Sequence, residues 1–231
     1  MIIRNRTNLL QLIGFLCVML TLGYLEANAQ PPYLPVGPQT DVPVATVTGG
    51  GWTECYRDVY AVHMDVDAVL SDCPGSLLML SCRETGSDTL TLLAQGNRSD
   101  VTFDTGNDNP DETHIANGVG WYFDNSGFDD FGDSWGFVRA GDIVDKDNCD
   151  TDDSGAADER LCWHLNDFGG FRCGVTESLN SSESWERIVY MAEAPPIVTE
   201  VPTLSEWGLI SMAAILGIVG FMVIRRRQVT A

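Results

Sequence analysis

Lysine is almost missing from this chain. Of its 231 residues 13 are basic and 33 acidic, and Lys146 is the single lysine. A formal charge of −20 repels phosphate backbones and anionic headgroups, which excludes nucleic acid as a partner and favours cations. Histidine is scarce as well, with only His63, His114 and His164. None of them lies in a zinc-protease helix pattern, and no serine stands in a nucleophile elbow. The glycines of "NGVGW" and "NDFGGFRCG" lack the strand-to-helix context of a phosphate loop. These absences argue against an enzyme, and no catalytic residue is assigned. A carboxylate pair set for glycoside hydrolysis would leave no mark in a chain this acidic. No internal repeat is present.

Long apolar runs are confined to the two ends. At the start, Arg4 and Arg6 precede a run from Leu9 to Leu22, and Ala27 and Ala29 form a small-x-small pattern before Gln30. This order predicts a secretory signal over residues 1–29, removed by signal peptidase. At the other end, Leu209 to Ile224 carries no charge and Arg225, Arg226 and Arg227 follow it at once. At about 1.5 Å per residue, a helix over 208–224 just crosses a bilayer, with the arginines as a cytoplasmic stop-transfer cluster. The residues before that helix are therefore expected outside.

Just ahead of it stands "VPTLSEWG". Pro202 interrupts helix continuation, leaving extended backbone at the membrane face, and Trp207 suits the interface. The order of motif, apolar helix and arginine cluster over residues 201–228 resembles the IPTL-CTERM sorting signal of Gram-negative surface proteins. Pro202, Thr203, Leu204, Trp207 and Gly208 match it, and Val201 stands where the family name has isoleucine. The resemblance implies an exosortase-type transpeptidase as partner. It would anchor the chain in the inner membrane first, cut near the motif, and pass the protein to the cell surface or the medium.

Without those ends, the 13 basic residues lose Arg4, Arg6 and Arg225–Arg227, and the 33 acidic ones lose Glu26, Glu200 and Glu206, leaving 8 against 30. Cys17 leaves with the signal, and Cys55, Cys73, Cys82, Cys149, Cys162 and Cys173 remain. An even set in an exported chain predicts disulfides of undetermined pairing. The competing reading is a zinc site of Cys149, Cys162, His164 and Cys173.

Prolines mark residues 30–49 as an extended leader and 193–200 as a linker, which frames a domain over 50–192. Inside it lie short runs separated by Gly, Asn, Asp and Ser: "WTECYRDVYAV", "SLLMLSC", "TLTLLAQ", "VTFDT", "GVGWYF", "SWGFVRA", "RLCWHL", "GFRCGVT" and "WERIVYM". Strand-length runs with frequent turns predict an all-β, disulfide-stabilised sandwich or barrel-like domain. "SLLMLSC" is apolar on both faces and should be central, while "TLTLLA" should face water on one side. Only "DVDAVLSDC" reads as a helix. The first and last runs, beginning at Trp52 and holding Trp185 and Tyr190, are expected to pair because chain ends in compact domains lie close together.

Two constellations suggest ligands. Asp150, Asp152, Ser154, Gly155 and Asp158 fall at positions one, three, five, six and nine of a calcium loop. Position twelve is Leu161, so this is not an EF-hand, and the alternative is a solvated acidic loop closed by a disulfide. The second is aromatic and acidic, from Trp121 to Phe137. Trp121 with Phe123, and Trp135 with Phe137, have strand spacing and are expected in the core. Phe128 and Phe131, between them, are the candidates for ligand contact, in a composition suited to glycans. The expected function is a binding or adhesion module for glycan or matrix, with calcium as candidate cofactor. The alternatives are a structural component of envelope or extracellular matrix and, third, a secreted hydrolase.

Overall fold

The computed structural model describes residues 32–106, 112–124, 133–146, 149–150, 155–165, 170–195, 208, 210–218, 221 and 225. The chain divides into two units, Met1–Ala194 and Pro195–Ala231.

The first unit is built on two antiparallel sheets of five strands each. One contains β1 (Gln39–Pro43), β2 (Thr53–Val59), β3 (Leu77–Glu84), β4 (Thr89–Asn97) and β10 (Trp185–Ala192), in the order β1-β4-β3-β10-β2. The other runs β5 (His114–Ala116), β6 (Val119–Asp124), β7 (Ser134–Arg139), β8 (Leu161–His164) and β9 (Arg172–Cys173), in chain order. Among the described residues, short α-helices accompany them at α1 (Val44–Gly49), α2 (Val66–Asp72) and α3 (Arg98–Val101).

Strand periodicity explains how the sheets meet. Side chains alternate across a strand, so Leu78, Leu80 and Cys82 of β3 point one way and join Trp121, Trp135, Phe137 and Trp163 of the second sheet in one buried cluster. Leu77 and Met79 point the other way, into a second cluster with Val47 of α1 and Trp52. With layers on both faces, β3 is buried at seven of its eight residues, which is why its run Leu77–Leu80 is apolar on both faces. It lies at the centre of its sheet, and β2 and β10 pair from Glu186↔Val59 to Met191↔Thr53, both as the sequence suggests.

Several expectations need correction. Residues 39–49 are not an extended leader: β1 pairs with β4, Trp52 Nε1 donates to the Tyr33 carbonyl at 2.6 Å, and Gln95 Nε2 donates to the Pro35 carbonyl at 2.8 Å. Proline forbids only its own N–H bond, which an edge strand can spare. That covering buries Leu93, so "TLTLLA" faces water on one side only at its start, where Thr89 and Thr91 stay half-buried between the buried Leu90 and Leu92. "VTFDT" is not a strand, because Val101 closes α3. The expected helix is present as α2, with the Asp65 carboxylate accepting from the Ala68 N–H.

Disulfides join Cys55 to Cys73, Cys82 to Cys173 and Cys149 to Cys162. The second ties β3 to β9 and so fastens one sheet to the other. With all three thiols in bridges, the zinc set of Cys149, Cys162 and Cys173 is overturned, since a metal needs free thiolates.

Among the described residues no helix is long and apolar enough to cross a membrane. The expected span 208–224 lies only partly within them, and there 210–218 are helical. The signal 1–29 lies outside the described residues.

Candidate functional site

The outer face of the second sheet carries several buried polar groups. Cross-strand register aligns Tyr122, Gly136 and Cys162 in one row and Asp124, Ser134 and His164 in the next. Gly136 makes the first row possible, because a Cβ there would run into the Leu161 carbonyl and the Tyr122 hydroxyl. Instead the tyrosine lies across the gap and Tyr122 Oη donates to the Leu161 carbonyl at 2.8 Å.

Val144 and Cys149 pack over this face, and the Cys149–Cys162 bridge pins them there. Cys149 and Asp150 turn with positive φ, 53° and 59°, and the turn directs Asp150 inward. Its carboxylate meets Arg160 Nη1 at 2.7 Å, with both side chains fully buried. Arg172, also buried, donates from Nη1 to the Asp150 carbonyl at 2.8 Å and from Nε to the Gly174 carbonyl at 2.9 Å, and pairs with Glu177 at 3.1 Å. Burial pushes the Asp150 carboxyl up to about 6 against the pull of Arg160 and Arg172, and pushes the Tyr122 hydroxyl well above its ordinary range.

This geometry bears on the candidate calcium loop. Asp150 is inside, engaged by Arg160, whereas Asp158 is exposed in a 3-10 turn over Ala157–Glu159. The two carboxylates thus sit in different surroundings, one buried and one in solvent. Asp152 and Ser154 lie outside the described residues. Among the described residues no group of three or more His, Cys, Asp or Glu is placed to hold a metal.

The second row is also inside: Asp124, Ser134 and His164 are all buried. The His164 ring meets Phe171 edge-on at 6.3 Å, and burial lowers its pKa to about 4, so it stays neutral near pH 7. An Asp, a Ser and a His on adjacent strands invite a catalytic reading, but Ser134 has no exposed surface. Their sequence separations hide the row, which appears only when three strands are set in register. The strands β6 and β7 flank the segment that holds Phe128 and Phe131, both outside the described residues. Trp121, Trp135 and Phe137 are fully buried, as their spacing predicts, and Trp135 stacks edge-to-face on Trp163 at 5.6 Å.

One aromatic feature escaped the sequence reading. After α3 the Phe103 ring is 48% exposed, yet it is held in place. It stacks on His114 at 4.3 Å between centroids, with the planes 15° apart. His114 Nε2 lies 2.9 Å from Asp100 Oδ1, and Asn97 Nδ2 donates to Asp100 Oδ2, also at 2.9 Å. "VTFDT" reads as a strand in one dimension, so nothing in the sequence sets Phe103 beside a histidine eleven positions on.

Fold and cysteines together define a disulfide-tied, two-sheet antiparallel β domain of the kind suited to oxidising surroundings. The family model for the IPTL-CTERM motif matches residues 201–228. The motif is a sorting signal read by exosortase-type enzymes and marks an exported, membrane-processed surface protein. Val201, Pro202, Thr203, Leu204 and Trp207 lie outside the described residues. No curated protein and no solved structure matches the chain.

Proposed function

We propose that this chain is an exported module, sorted to the surface of a Gram-negative cell, whose β domain binds a glycan or matrix component. The observation that carries the sorting half is the match of residues 201–228 to the sorting motif, downstream of a domain with three disulfides. In this reading residues 1–29 are removed on export and a helix over 208–224 holds the precursor in the inner membrane. An exosortase-type transpeptidase then cuts near Pro202, separating the domain from Arg225, Arg226 and Arg227. The binding half is supported by a large aromatic ring kept half exposed on a rigid support, Phe103 on His114. Phe128 and Phe131 remain candidate contacts. Calcium remains a candidate cofactor, with Asp152, Ser154 and Asp158 as its ligands in place of the engaged Asp150.

The second reading is a structural component of envelope or matrix, favoured by the complete burial of Trp121, Trp135 and Trp163. Two experiments test these proposals. Mass spectrometry of the surface form should find peptides ending before Arg225, and Pro202→Ala or Trp207→Ala should leave the full-length chain in the inner membrane. An intact arginine tail on the surface form would refute processing. A glycan array probed with and without calcium should return specific binding, and a blank array would leave the structural reading standing.

A further inference from the structure

Resting on the binding-module reading above, we propose that Phe103, supported by His114, is a docking platform for a polysaccharide bearing free amino groups. The platform is preorganised. Asn97 holds Asp100, Asp100 holds His114, and His114 underlies the phenyl ring. Helix α3 itself is anchored, because Trp135 Nε1 in the sandwich core donates to the Val101 carbonyl at 2.9 Å. His114 stands opposite Trp121 across β5 and β6. A ligand that lands on Phe103 therefore meets a surface with little side-chain freedom left to lose, which lowers the cost of binding. Burial would have been the ordinary fate of such a ring, and here the neighbours position it without covering it.

The ligand's chemistry follows from the surroundings. A flat, half-exposed aromatic face accepts the C–H face of a pyranose ring, and its quadrupole attracts a cation. Asp104, next in the chain, and Glu112, two residues before His114, are both exposed. The chain's charge of −20 adds a field that draws cations and repels acidic polymers. A uronic or sulfated glycan is therefore disfavoured, and a neutral one would use the ring alone. A basic peptide brings the charge without the flat C–H face. A glucosamine unit with its amine free brings both, and repetition along a polymer raises its avidity.

The test uses the purified full-length chain and immobilised glucosamine oligomers in free-amine and N-acetylated forms, beside polylysine and a panel of neutral glycans. The free-amine oligomer should bind, and added salt should weaken it. Phe103→Ala should weaken it by about tenfold, from loss of the ring face and its cation attraction. Phe103→Tyr should bind like the parent, and unchanged melting curves would confirm that both variants fold. Equal binding of the N-acetylated oligomer, equal Phe103-dependent capture of polylysine, or indifference to Phe103→Ala would each overturn the proposal. Neutral glycans bound without help from Phe103 would sink the platform and leave the binding module intact. Failure to bind any glycan would sink both.

Discussion

The Asp150 carboxylate lies 2.7 Å from the Arg160 guanidinium, and neither side chain touches solvent. Breaking such a pair from one side leaves an uncompensated buried charge. Asp150, raised from 3.8 to about 6 by burial, contributes stability that is complete below pH 3.8 and is lost as pH rises through about 6. Arg160→Met removes the cation that restrains this rise. Urea unfolding at pH 7 should show a loss of about 3–5 kcal/mol, and the deficit should shrink on acidification as the lone carboxyl protonates. A pH-independent deficit would mean that Asp150 is not the group left behind.

His164 acts in the opposite direction. Burial lowers its pKa from 6.5 to about 4, so the unfolded chain binds the proton more tightly than the folded one. Its contribution is present above pH 6.5 and lost as pH falls to about 4, by about 3 kcal/mol for a shift of this size. His164→Gln, which cannot take up that proton, should flatten the stability profile between those limits. If wild type and variant lose stability in parallel, the acid sensitivity lies elsewhere.

The bridges should differ in worth. Cys82–Cys173 closes 91 residues and Cys149–Cys162 closes 13. On loop entropy, replacing each pair by alanines should cost about 4.6 and about 2.9 kcal/mol respectively. Calorimetry on the two double variants checks the order. A larger loss for the short bridge would show that fixing the turn at Cys149 and Asp150 matters more than chain entropy.

Gly136→Ala should be among the most damaging small substitutions in the domain. The added methyl would meet the Leu161 carbonyl and the Tyr122 hydroxyl, and the hydrogen bond between them would have to break. Overpacking of this kind costs about 1–3 kcal/mol before the buried hydroxyl is counted. Gly136→Ala combined with Tyr122→Phe should recover part of the loss. A near-neutral single variant would show that the sheet yields there.

What the residues alone determined was whatever depends on short-range order. The sorting motif is linear, so Pro202, Trp207 and the arginines could be read without a fold. Strand-length runs and turn residues gave the all-β class and the central β3, and the closeness of chain ends in compact domains gave the pairing of β2 with β10. An even cysteine set implied bridges, though not which cysteine met which, because pairing depends on approach in space. The tertiary structure alone decided three things. It drew β1 and α1 out of a proline-rich stretch, because an edge strand tolerates missing donors. It turned Asp150, a candidate cation ligand in the sequence, inward to pair with Arg160, because the turn at Cys149 and Asp150 carries the carboxylate beneath the loop. It also set Phe103 on His114, a contact between segments that share no periodicity and meet only where α3 reaches β5 at the sandwich flank.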